Sequence, residues 1–102
     1  MNSNTKLDPT QKSILKGMKI EARAMGIKWA NNGETTVAFK PMGNTVRFAM
    51  SVKSPDETKF RAKVGEYHSI SRLMWDFEST VMNTSDFIYM LETVLCIDYD
   101  NT

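Results

Sequence analysis

One histidine and one cysteine in 102 residues leave few parts for metal or thiol chemistry. A zinc centre of Cys and His ligands needs about four of them and is excluded. Cys96 has no second cysteine to pair with, so a reducing cytoplasm is the expected setting. No apolar run approaches the ~20 residues of a membrane span, and no membrane association is expected. Met1–Lys6 has no apolar stretch of the signal-peptide kind, so export is not expected either. The five glycines, at 17, 26, 33, 43 and 65, fall in no phosphate-cradling loop. After Arg72 there is no lysine or arginine at all.

That last absence exposes a division that the net charge of +1 conceals. Residues 1–72 hold all 13 Lys and Arg against six acidic residues, whereas 73–102 hold Asp76, Glu78, Asp86, Glu92, Asp98 and Asp100 unopposed. Two outcomes are open: the two parts fold together and neutralise, or they form separate basic and acidic surfaces. The remaining composition, 41% hydrophobic and 25% charged, is that of a soluble globular chain, and the length suits one domain over 1–102.

Asp8 followed by Pro9 signals a helix start, and Ile14, Leu15, Met18, Ala22 and Met25 recur at helical spacing before Gly26. A helix over about 9–25 is expected. Val46, Phe48, Met50 and Val52 alternate as a half-buried strand, with Thr35, Val37 and Phe39 as a shorter partner and Pro41–Asn44 as the turn between. Ile27 and Trp29 before Asn32-Gly33 complete a three-stranded meander over 27–53. Ser54-Pro55-Asp56-Glu57 reads as a capping box, and the spacing of Phe60, Val64, Tyr67, Met74, Phe77 and Val81 predicts a helix to about 78. Phe87, Ile88, Leu91, Val94 and Leu95 predict a final helix over about 86–96. The expected fold is α+β in the order α-β-β-β-α-α, a three-stranded antiparallel sheet with its helices on one face. Residues 1–6 and 99–102 read as loose ends. One buried sheet face is expected to carry Val46, Phe48, Met50 and Val52, with Phe60, Val64, Met74 and Leu91 near it.

No catalytic set emerges. His68 has Ser69 and Ser71 nearby, but helix neighbours do not face each other and no third member is evident. No enzyme, cofactor or metal is expected; Asp98 with Asp100, two carboxylates near the end of the sequence, make only a weak site for a hard cation. Cys96, between Leu95 and Ile97, reads as a small buried hydrophobe, and the eight methionines as core filler or as an adaptable binding surface. Trp75 is either core or an interface anchor. Two basic features remain. Lys12, Lys16, Lys19 and Arg23 form one stripe opposite the apolar face of the first helix. Lys59, Arg61 and Lys63 cluster at the start of the second, joined by Arg72. Both suit phosphates or an acidic partner. The pI of about 7.8 and the lack of interleaved aromatics weigh against nucleic acid.

Ser54-Pro55-Asp56-Glu57-Thr58-Lys59-Phe60-Arg61-Ala62-Lys63-Val64-Gly65, with Arg72-Leu73, resembles a pattern in small accessory proteins of tailed bacteriophages. The resemblance covers about 20 residues and implies a phage-encoded protein in the host cytoplasm that acts by binding a host protein. The α-β-β-β-α order is also similar to a double-stranded-RNA-binding domain. There the basic start of the last helix grips phosphates, as Lys59–Lys63 would here, although this sequence lacks that family's Gly-Pro-x-His loop. The leading expectation is therefore a non-enzymatic, phage-encoded protein that modulates or inhibits a host protein. Nucleic-acid binding is the alternative.

Overall fold

The computed structural model describes residues 6–55, 59–75 and 78–102. Helix α1 spans Pro9–Ala24. Its capping box is reciprocal: the Gln11 amide donates to Asp8 Oδ1 at 2.7 Å, and the Asp8 amide donates to Gln11 Oε1 at 3.1 Å. Leu15, Met18 and Ala22 are its buried stripe, while Ile14 and Met25 lie outside it, exposed.

Strands β1 (Lys28–Asn31), β2 (Thr35–Met42) and β3 (Thr45–Val52) form the expected antiparallel meander. A fourth strand, β4 (Thr80–Asn83), pairs with β3 from Thr45↔Asn83 to Phe48↔Thr80. The order is thus α-β-β-β-α-β-α, with four strands rather than three. The second helix, α2, spans Ala62–Met74, so it starts later and ends earlier than its spacing predicts. Asp56 and Glu57 of the expected capping box lie outside the described residues. Arg61 takes the N-cap position with no side-chain cap bond.

The larger correction concerns layers. Every residue of β2 from Thr35 to Phe39 is buried, so both faces of the sheet are covered. On one face, Ala38 and Ala49 receive α1 and α2 through Leu15, Met18, Ala22, Ile70 and Leu73. On the other, Val37, Phe39, Val46 and Phe48 meet Phe87, Leu91, Leu95 and Ile97. The Phe87 ring lies 5.0 Å from that of Phe39 and 5.2 Å from that of Phe48. The sheet separates Val64 and Met74 from Leu91, against the expectation that they share a face, and Phe60 is only half-buried. Met50 and Val52 lie past the stretch that β4 pairs and are exposed.

Helix α3 (Thr84–Tyr89) continues as one π turn, Met90–Val94. Asn83 caps its start, and the Thr84 hydroxyl donates to the Gly43 carbonyl at 2.9 Å, tying it to the β2–β3 turn. Its far end is held by Asn32, whose side-chain amide donates to the Leu95 carbonyl at 3.0 Å. Cys96 is exposed rather than buried, because its left-handed backbone (φ 57°) turns the thiol outward while Leu95 and Ile97 stay in the core. Tyr99–Asn101 form a 3-10 turn, and the Tyr99 ring sits 5.9 Å from that of Phe39. No helix among the described residues is long and apolar enough to cross a membrane.

Candidate functional site

Packing α1 beside α2 brings together two basic segments that lie some forty residues apart in the chain. Lys12, Lys16 and Lys19 of α1 and Lys63 of α2 border an open recess of about 390 Å³. A second recess, of about 290 Å³, shares Lys12 and Lys63 and adds Lys6, Lys59 and Arg61. Its apolar lining comes from Leu7, Phe60 and Val64. Among the described residues no acidic side chain lines either recess. Lys12, Lys16, Lys59, Arg61 and Lys63 are all exposed, and none makes an ion pair among the described residues. Arg61, at the N-cap of α2, makes no side-chain cap bond, and Lys59, Arg61 and Lys63 gather at that positive helix end.

The α1 stripe does not act as one unit. Lys19 pairs with Glu66 Oε1 at 2.6 Å and lies 5.8 Å from the Trp29 ring centre, while Arg23 stacks over the same ring at 4.9 Å. Those two cations fasten α1 to α2 and to the edge strand β1. Arg23 lines neither recess. Arg72 is separate as well: Nη1 donates to the Met50 carbonyl at 2.8 Å, and Nε is 3.9 Å from Glu78. Nine residues of helix, about 14 Å, divide it from Lys63. Trp75 follows the end of α2 and is 59% exposed, so it is not core.

The side chains with catalytic potential do not assemble. The Ser69 hydroxyl donates to the Gly65 carbonyl at 2.8 Å and the Ser71 hydroxyl to the His68 carbonyl at 3.1 Å, so both serve their own helix. Burial, and then the positive charge of Arg72, hold the His68 imidazole below its ordinary pKa. Its Nε2 is buried with no hydrogen-bond partner. Asp98 accepts the Asp100 amide at 3.0 Å and so caps a single 3-10 turn.

The two parts of the charge distribution meet at Arg72 and Glu78, and most of the acidic part lies elsewhere. Asp86, Glu92, Asp98 and Asp100 belong to α3 and the segment after it, on the opposite side of the sheet from α1 and α2. Each basic segment is legible in the sequence, but their meeting is not. Nor is the part of Lys6 and Leu7, which precede the helix signal; an apolar residue just before the Asp8 cap is the one clue to it.

No family model matches the chain, and no curated protein or solved structure matches it significantly.

Proposed function

We propose that this chain is a non-enzymatic binding protein that holds the phosphate backbone of a nucleic acid on the α1/α2 face. The observation that carries this reading is the convergence of Lys12, Lys16, Lys59, Arg61 and Lys63 around two connected recesses. The pI of about 7.8 weighs less against it with Asp86, Glu92, Asp98 and Asp100 behind the sheet. A phosphate backbone responds to the charge of the face it touches. The order α1-β1-β2-β3-α2, with both helices on one face, is what the likeness to a double-stranded-RNA-binding domain implies, and the likeness stops at topology. Lacking that family's Gly-Pro-x-His loop, the chain relies on backbone contacts, which position a duplex without reading its sequence. Titration of a labelled duplex, DNA and RNA in parallel, is the direct test. Affinity is expected to fall as salt rises from ~50 to ~200 mM, with a log–log slope of about −0.9 per phosphate contacted on B-DNA. Absence of binding at the lower salt concentration would remove the reading.

A second reading retains a phage-encoded modulator of a host protein. The exposure of Trp75 favours it, because large aromatic side chains anchor protein interfaces. Pull-down from bacterial lysate after nuclease treatment separates the two. A stoichiometric protein that survives nuclease supports the modulator; loss of all bound material with the nucleic acid supports the first reading.

A further inference from the structure

The two recesses differ in a way that matters for a nucleic acid. The one along α1 is bordered by Lys12, Lys16, Lys63 and the Glu66-paired Lys19 and has one apolar residue, Leu15. The one at the start of α2 has an apolar lining that includes a half-buried aromatic ring, Phe60, and five cations. Inside a duplex both faces of every base pair are stacked, so a ring in a recess finds no free base face there. Only the last nucleotide of a strand offers one, and base–aromatic stacking is sequence-tolerant. At about 290 Å³ the recess sits near the lower bound for small-ligand sites, room for one nucleotide rather than several.

Charge agrees with shape. A backbone phosphodiester carries a single negative charge, whereas a terminal phosphomonoester carries about −1.5 to −2 near pH 7 and presents three acceptor oxygens. Lys59, Arg61 and Lys63, at the start of α2, provide the denser positive charge that such a group favours. Lys12 borders both recesses, which makes the second a continuation of the first.

We infer that the recess at the start of α2 seats the phosphorylated terminal nucleotide of a nucleic-acid strand, an assignment that rests on the backbone-binding reading above. Lys59, Arg61 and Lys63 meet the phosphomonoester, the Phe60 ring stacks on the terminal base, and Lys12 and Lys16 hold the phosphates that follow. The protein then recognises ends as well as backbone.

The test compares short duplexes of one sequence carrying 5′-phosphate, 3′-phosphate or hydroxyl ends, together with a dumbbell duplex closed by loops. One phosphorylated end is expected to bind about tenfold more tightly than the hydroxyl end, the increment of one strong charged contact. Arg61→Gln with Lys59→Gln should abolish that preference, weakening phosphorylated ends about tenfold more than hydroxyl ends. Lys16→Gln should weaken every duplex by the same factor. All three positions are exposed, and an unchanged thermal midpoint confirms that each variant is folded. Equal affinity for phosphorylated, hydroxyl-ended and closed duplexes overturns the end-recognition assignment and leaves backbone binding standing. A free nucleoside monophosphate that binds more tightly than the phosphorylated duplex overturns it in favour of a mononucleotide seat. No binding to any duplex removes both readings together.

Discussion

Two glycines in helices show how local geometry sets the effect of one substitution. A Cβ added at Gly65 would overlap Thr36 Oγ1 and lie 2.9 Å from Thr36 Cβ, because α2 runs tightly against β2 at that point. A Cβ at Gly17 in α1 meets nothing within 4 Å. Gly17→Ala is therefore expected to stabilise the fold by up to ~1 kcal/mol, the ordinary helix-propensity gain. Gly65→Ala should destabilise it by about 1–3 kcal/mol, since overpacking outweighs that gain. Urea denaturation of the two variants checks both signs, and a stabilised Gly65→Ala would show that α2 lifts freely off the sheet. His68 adds a pH dependence. Its folded-state pKa is lowered from 6.5 by burial and by Arg72, so the unfolded chain takes up the proton first as pH falls. Stability from this group is whole above 6.5 and declines in the window beneath it, down to the lowered value. The thermal midpoint should drop as pH falls below 6.5, and His68→Gln should lose that part of the drop. An unchanged slope in the variant would show that the folded imidazole takes protons as readily as the unfolded one.

Among the elements, α3 with its π turn is short, yet it closes one whole face of the sheet. Phe87, fully buried between Phe39 and Phe48, carries much of that closure. Phe87→Ala is expected to cost ~3–5 kcal/mol, a large share of the ~5–15 kcal/mol that holds a domain of this kind together. Met50→Ala should change stability by less than ~0.5 kcal/mol, because Met50 is 38% exposed despite alternating in register with Phe48. A thermal midpoint lowered equally by both would contradict the exposure of Met50. The same pair shows what the sequence makes legible. Alternation in β2 and β3 and the Asp8-Pro9 cap identify strands and a helix correctly, since those signals are local. Alternation marks one face as apolar, however, and says little of the other when its buried residues are small or polar, as Thr36 and Ala38 are. That is why the sequence points to helices on one face and the fold has them on both. Strand β4 is hidden for a different reason: it has four residues, and Val81 falls in step with the three-and-four spacing of the helix before it. The site follows the same rule. Lys12 and Lys16 stand out from helical spacing, and Lys59–Lys63 from local charge, but only the packing of α1 on α2 joins them. That packing also withdraws Lys19 and Arg23 to Glu66 and Trp29.

At the scale of the molecule, the sheet acts as a partition between unlike charges. A net charge of +1 describes neither side of it. The carboxylates of α3 and of the segment after it lie across the sheet from the α1/α2 recesses, and exposed charges separated by more than about 8 Å are largely screened at physiological salt. Placement should then outweigh net charge in binding a polyanion, and two double variants of equal and opposite charge change separate those possibilities. Lys16→Glu with Lys63→Glu reverses two exposed cations in the recesses and lowers the net charge by about four units, as counted from the side-chain pKa values. Asp86→Lys with Asp100→Lys reverses two exposed carboxylates on the far side and raises it by about the same amount. The first variant is expected to weaken duplex binding by about tenfold or more and to flatten the log–log salt slope by about 0.9 for each phosphate no longer held. The second should leave the slope unchanged and shift the affinity by less than about threefold, because screened charges that far away act mainly on the rate of approach. Opposite shifts of equal size in the two variants would mean that net charge governs binding, and that the recesses between α1 and α2 hold no particular phosphate.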